Sequence, residues 1–170
     1  FQRLTRDLEA EMAAEPWGWQ PDRVLPEEVV PLLVAARPEL AERWRPDDET
    51  ASQPYLAMIS LVAELVAAVT ASQTEHLDGL FHVAERLLEE GSREVRELVA
   101  VGLLEGLQDR SLKASVPLDA WEGWLGPRSR TVWTILAPLW GDEAGAEEVR
   151  LRIEEVLGRL ERGSVTPAVP

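Results

Sequence analysis

Cysteine is absent from this 170-residue chain, which excludes disulfides, thiolate metal sites and cysteine nucleophiles. Lysine is nearly absent too. Lys113 stands alone against sixteen arginines, which reads as the codon bias of a GC-rich, bacterial genome. Basic side chains of both kinds number 17 against 31 acidic ones, a formal charge of -14. Nucleic acid and anionic membranes are therefore unsuited as partners, because phosphate binding needs clustered Lys and Arg. GxGxxG, Walker, HExxH, GxSxG and EF-hand motifs are all missing. No reaction class is signalled, and no cofactor or metal is expected. One run alone, Tyr55 to Thr74, has the length of a membrane span. Ala, Ser, Thr and Gln dilute it, Glu64 interrupts it and no basic flank anchors it, so it reads as a central core helix. The chain opens at Phe1 rather than Met, so the native start is expected upstream or in a removed segment. No basic region followed by an apolar run marks a secretory signal, and the expected location is cytoplasmic.

What is present is helical punctuation. Apolar residues make up 45% and charged residues 28%, which suits one globular domain over residues 1–170. Leu4, Leu8 and Met12 mark one face of an N-terminal helix over 1–15. After the loop PWGWQPDRVLP, Pro26 with Glu27 and Glu28 suits a helix start, and Pro31 predicts a kink or two short pieces. Pro38 opens a helix through Leu40 and Trp44, and RPDDETASQ reads as an acidic turn before the central helix. Leu77, Leu80, Phe81, Ala84, Leu87 and Leu88 form the stripe of a core-facing helix. Gly91 fits a left-handed cap and Ser92 caps the next helix, which predicts an antiparallel hairpin. That next helix, REVRELVAVGLLEGLQD, is apolar on most sides, with a polar stripe through Glu94, Glu97, Glu105 and Gln108. A short helix with Trp121 and Trp124 follows. Gly126 and Pro127 then start another, whose last turn Pro138 disturbs and which carries Trp133 and Trp140 on one face. The last helix, within 142–162, uses Val149, Ile153, Val156 and Leu160, with Glu148 to Arg152 and Glu155 to Arg159 as i,i+4 pairs. Residues 163–170 are a tail. The expected fold class is all-α, an irregular bundle of seven to eight helices built from antiparallel helix hairpins.

Candidates for chemistry are few. His76 and His82 lie six residues apart, about 120° on a helix, so they cannot chelate one metal as an i,i+4 pair would. His82 shares a stripe with Asp78, Glu85 and Glu89 and reads as a solvated surface histidine. Glu64 and Glu105 interrupt apolar runs. A desolvated carboxylate there would have a raised pKa and could serve as a general acid or base, against the alternative of an ion pair or an exposed edge. Gly102 and Gly106 form a GxxxG that lets a neighbouring helix approach closely.

The acidic residues also cluster. Glu147, Glu148, Glu154 and Glu155 are interleaved with Arg and read as a solvated face. Asp47, Asp48 and Glu49 in one turn, and Glu89, Glu90 and Glu94 around another, have fewer local counter-charges. They are the better candidates for a surface meant for a basic partner. Trp121 and Trp124, with Trp17 and Trp19, lie in or beside loops and are candidate anchors for such an interface, with core packing as the alternative.

HVAERLLEEGSREVRELVAVGLLEGLQDR followed by WLGPRSRTVWTILAPLWG resembles a largely uncharacterised family of small acidic all-helical bacterial proteins. In that family a helix hairpin with a Gly turn precedes an LGP.S...W segment. The resemblance covers about residues 25–141, with the first and last helices as additions. It implies an association with immunity proteins of bacterial toxin systems. It supplies no catalytic residues, and Gly91, Leu125, Gly126, Pro127 and Trp133 match for structural reasons. The expected function is a non-enzymatic protein-binding module, an immunity protein that covers a basic toxin domain with its acidic surface. The alternatives are a structural protein that self-associates through its C-terminal helix, and a small-ligand or metal enzyme using Glu64 or Glu105.

Overall fold

The computed structural model describes residues 20–137 and 145–163. The expected N-terminal helix, Trp17, Trp19, Pro138, Trp140 and the tail beyond Gly163 lie outside the described residues. Among those described there is no strand, and the all-α reading holds. A 3-10 turn at Pro21–Arg23 leads into α1 (Pro26–Ala35), then α2 (Pro38–Arg43), α3 (Asp48–Ser52) and α4 (Pro54–Thr70). Next come α5 (Leu77–Glu90), α6 (Arg93–Glu97), a π-helical stretch (Leu98–Glu105) and α7 (Gly106–Lys113). A 3-10 segment (Leu118–Trp124), α8 (Pro127–Leu136) and α9 (Ala146–Glu161) complete the order. Leu98, Glu105 and Gly106 are all right-handed helical, so α6, the π stretch and α7 form one rod.

Several starts have a local cause. Pro26 and Pro127 occupy first-turn positions that need no amide partner, and Glu28 reaches back to accept the Leu25 N–H at 2.8 Å. Asp47 accepts the Thr50 N–H at 2.7 Å, so the expected acidic turn is instead the capped first turn of α3. Pro31 does not divide α1, which runs unbroken through it. It sits on the solvent side, where the Glu27 carbonyl it leaves unpaired can be hydrated.

Helix ends depart from expectation. Gly91 is extended, φ -67 and ψ 163, rather than left-handed. Its small size is what the turn needs, since a Cβ there would lie 2.4 Å from the Leu87 carbonyl oxygen and 2.8 Å from Val95 Cγ1. Ser92 does cap α6, accepting the Val95 N–H at 3.3 Å. Left-handed residues follow α4 and α7 on serines, and α9 on Gly163 (φ 62). At the end of α4, Ser72 (φ 57) and Gln73 return their amides to Val69 and Ala68, and at the end of α7, Ser115 (φ 57) and Val116 do so to Leu112 and Ser111. Both are Schellman motifs built without glycine.

The rod is central. Gly102 faces Met58 and Gly106 faces Val62, at 3.0 and 3.4 Å from where a Cβ would sit, so GxxxG does admit α4 closely and the two run parallel. Every residue of the α5 stripe is buried, and Arg96 closes the hairpin by donating to the Glu89 carbonyl at 2.7 Å. Gln108, expected on a polar stripe, is fully buried and donates to the Trp133 carbonyl at 3.0 Å, which locks the rod to α8. On α9, Val156 and Leu160 join the core. Arg93 holds the helix by Glu154 at 2.9 Å and Glu161 at 2.7 Å.

Candidate functional site

The two candidate acidic turns separate once the chain is folded. Asp47, Asp48 and Glu49 are all exposed at the start of α3, and none has an Arg or Lys partner among the described residues. Hydrogen bonds from Thr50 hold the Asp47 carboxyl below its ordinary value, so Asp47 has a structural task. Asp48 and Glu49 have no such partner and point charge outward from the positive end of a helix.

The second turn is compensated, contrary to expectation. Glu89 pairs with Arg128 of α8 at 3.2 Å, and Glu90 with Arg86 one turn earlier at 2.9 Å. Arg128 lies 39 positions from Glu89 in the chain, so local sequence could not reveal it. Glu94 alone of the three is exposed without an ion pair among the described residues. The late cluster is paired as expected in part. Arg159 meets Glu155 at 2.9 Å, while Arg152 turns to Glu155 at 3.6 Å rather than to Glu148.

Trp121 is not an exposed anchor. It is fully buried, its indole donates to Ser111 Oγ at 2.8 Å, and its ring lies 6.2 Å from Phe81 and 6.0 Å from Trp124. Trp124 is half-buried and stacks on Phe81 at 6.2 Å with 13° between the planes. The pair therefore braces the 3-10 segment against α5.

Glu85, assigned by periodicity to a solvated stripe, instead caps α8. Its carboxylate accepts the Arg128 N–H at 2.7 Å, the Ser129 N–H at 2.9 Å and the Ser129 hydroxyl at 2.6 Å. This explains LGP.S...W: Leu125 and Trp133 are buried, Pro127 opens the helix, Ser129 binds the carboxylate, and any Cβ on Gly126 would sit 2.6 Å from it. The readable signal was a helix start whose N-cap position, Gly126, has no side chain of its own to cap with.

Glu64 and Glu105 are both half-buried. Burial, and then the Asp109 charge, raise the Glu105 pKa above its ordinary value. His76 lies 3.2 Å from Glu39, in the open. His82 is half-buried, with Nε2 enclosed and unpartnered, rather than a solvated surface histidine. Among the described residues no group of three His, Asp or Glu could hold a metal ion, and no helix is long and apolar enough to cross a membrane. A surface depression between α1 and the end of α2, lined by Pro31, Val34, Trp44 and Arg45 among others, contains no carboxylate or histidine.

Periodicity also missed part of α4. Its buried face is Ala57, Met58, Leu61, Val62, Leu65 and Val66, yet Tyr55, Leu56 and Ile59 are exposed. Burial raises the Tyr55 pKa, with further contributions from Glu97 and Glu105, which places all three side chains in one electrostatic neighbourhood. A helix apolar beyond the width of one core stripe was the available signal.

The folded chain is thus an all-α bundle whose charge is partly neutralised within the fold and partly left outward around α3, α4 and the rod. It belongs to the family described as Domain of unknown function (DUF7674), which matches residues 30–141, from within α1 to beyond α8 and short of α9. No curated protein and no solved structure matches the chain significantly.

Proposed function

We propose that this chain is a non-enzymatic protein-binding module, an immunity protein that neutralises a cognate bacterial toxin through its acidic surface. The observation that carries the reading is that acids of the two candidate turns remain outward and unpaired. Glu89, Glu90, Glu147, Glu154, Glu155 and Glu161 find arginine partners within the fold, whereas Asp48, Glu49 and Glu94 stay exposed without one among the described residues. Outward carboxylates of this kind steer a basic partner at the encounter stage, and a specific complex would bury on the order of 1,600 Å² in total. The buried α9 stripe speaks against self-association through that helix, because Val156 and Leu160 already pack inside the chain.

The test is recovery of the native partner by affinity purification, followed by association rates for Asp48→Lys with Glu49→Lys. Asp47 is kept so that α3 retains its cap. Slower association that converges with wild type at high salt is expected. A partner whose on-rate ignores both salt and the reversal overturns the electrostatic reading.

A further inference from the structure

Six large apolar side chains are exposed among the described residues, and three of them, Tyr55 (44%), Leu56 (41%) and Ile59 (62%), fall within five positions of α4. Tyr55 and Ile59 are one turn apart and stack along the helix, outside the stripe that Met58 and Val62 press onto the rod. The rod runs parallel alongside. Its Glu97, Val101 and Glu105 recur at every fourth position and share a face, and Leu112, also exposed, lies two turns beyond Glu105. The register that sets Gly102 on Met58 and Gly106 on Val62 runs Glu97 to Glu105 of the rod alongside the first half of α4, and the charges of both carboxylates add to the burial that raises the Tyr55 pKa. Neither has an ion-pair partner among the described residues, and Asp48 and Glu49 stand unpaired just ahead of α4.

We propose that the strip formed by Tyr55, Leu56 and Ile59, rimmed by Glu97 and Glu105, is a docking surface for an amphipathic protein segment that carries aliphatic side chains flanked by Arg or Lys. The proposal rests on the protein-binding reading above and names the surface and the partner's chemistry. Apolar side chains at the centre and unpaired charge at the rim are the anatomy of a specific interface, and a helix laid in a groove is the mode such a strip admits. Charge selects the occupant. A twofold pairing of two copies would bring one acidic rim against the other, and an anionic bilayer would be repelled. A basic amphipathic segment satisfies both the strip and its rim.

The experiment is amide-resolved NMR titration of the full chain with three synthetic probes: an amphipathic Leu/Lys helix, its Leu/Glu counterpart and an oligolysine without leucine. Shifts concentrated on the first half of α4 and on Glu97 to Glu105, with the Leu/Lys probe alone, are expected. Ile59→Gln should weaken that binding by about tenfold, while Leu151→Gln, an equally exposed change on α9, leaves it unaltered. Both side chains are exposed, and an unchanged melting temperature verifies the fold. Equal binding of oligolysine, equal binding of the Leu/Glu probe, or indifference to Ile59→Gln overturns the proposal. So does a dimer that Ile59→Gln dissolves in sedimentation, which would make a second copy the occupant. Photo-crosslinkers placed at positions 59, 48 and 151 in native cells separate the two readings. A partner captured from 48 or 151 and not from 59 removes this surface and leaves the protein-binding reading standing, and capture from none of them removes both.

Discussion

Glu85 offers the sharpest test of how this fold is held. Its carboxylate takes three hydrogen bonds from the first turn of α8, at 2.7, 2.9 and 2.6 Å, across 43 residues of chain. Charge-assisted bonds contribute about 1.5–3 kcal/mol each in isolation, but these three act as one cap, and losing a cap costs about 1–2 kcal/mol. Glu85→Ala also strands two amides and the hydroxyl of Ser129, which is itself fully buried. Water reaches only part of the site, so a loss of about 2–3 kcal/mol is expected. For a chain of this size that is a fall in melting temperature of about 4–12 °C. Glu85→Gln keeps one acceptor oxygen and turns the other into a donor facing N–H groups, so it should fall between wild type and Glu85→Ala. Gly126 supplies the decisive control. Its φ of -77 suits alanine, and the three atoms nearest to an added Cβ, at 2.6 to 2.9 Å, all belong to the Glu85 side chain. Gly126→Ala alone should displace the carboxylate and cost about 1–2 kcal/mol, yet cost almost nothing in a Glu85→Ala background. Urea unfolding of the four proteins measures this coupling. An equal Gly126→Ala penalty in both backgrounds would refute the argument, as would a Glu85→Ala loss below about 0.5 kcal/mol.

Three further outcomes are expected. Gly91→Ala should destabilise by about 2–3 kcal/mol because its Cβ would meet backbone that cannot yield, whereas Gly106→Ala, with its nearest neighbour at 3.4 Å, should be neutral or stabilising by up to about 1 kcal/mol; denaturant midpoints distinguish the two. Ser72→Gly and Ser115→Gly, each relieving a left-handed residue that bears a side chain, should raise stability by about 0.5–1 kcal/mol apiece in thermal unfolding. Glu105→Gln should raise the melting temperature at pH 7. The folded pKa of Glu105 lies above the ordinary 4.5, so the folded state binds more protons between those values and loses stability as pH rises through them. The advantage of the glutamine should therefore vanish below about pH 4.5, where the carboxyl is protonated in both states, and an equal gain at all pH values would refute the sign.

The helices were legible in the residues because their causes are local. Buried stripes such as Leu80, Phe81, Ala84 and Leu87, prolines at first turns and the Ser92 cap each act within a few residues, where periodicity and capping chemistry operate. GxxxG was legible too, since small size at two positions on one face implies a close neighbour, although not that the neighbour is α4 in parallel. Gly91 was placed rightly at a turn and wrongly explained: glycine suits both a left-handed φ and a crowded site, and only coordinates tell these apart.

The candidate surface was half legible. Composition and local charge determined that this is an acidic helical chain without basic clusters, and they singled out Asp48 and Glu49. Tertiary structure decided which acids remain available. Coulomb attraction depends on distance in space, so Arg128 could neutralise Glu89, and Glu85 could turn from a surface charge into a cap, through contacts that cross some forty residues of chain. The same holds for burial. The residues of α4 and of the 3-10 segment display their apolar character in the sequence, but which of them meet a neighbour depends on where the other helices lie. That is why Trp121 ended inside the core and Ile59 outside it.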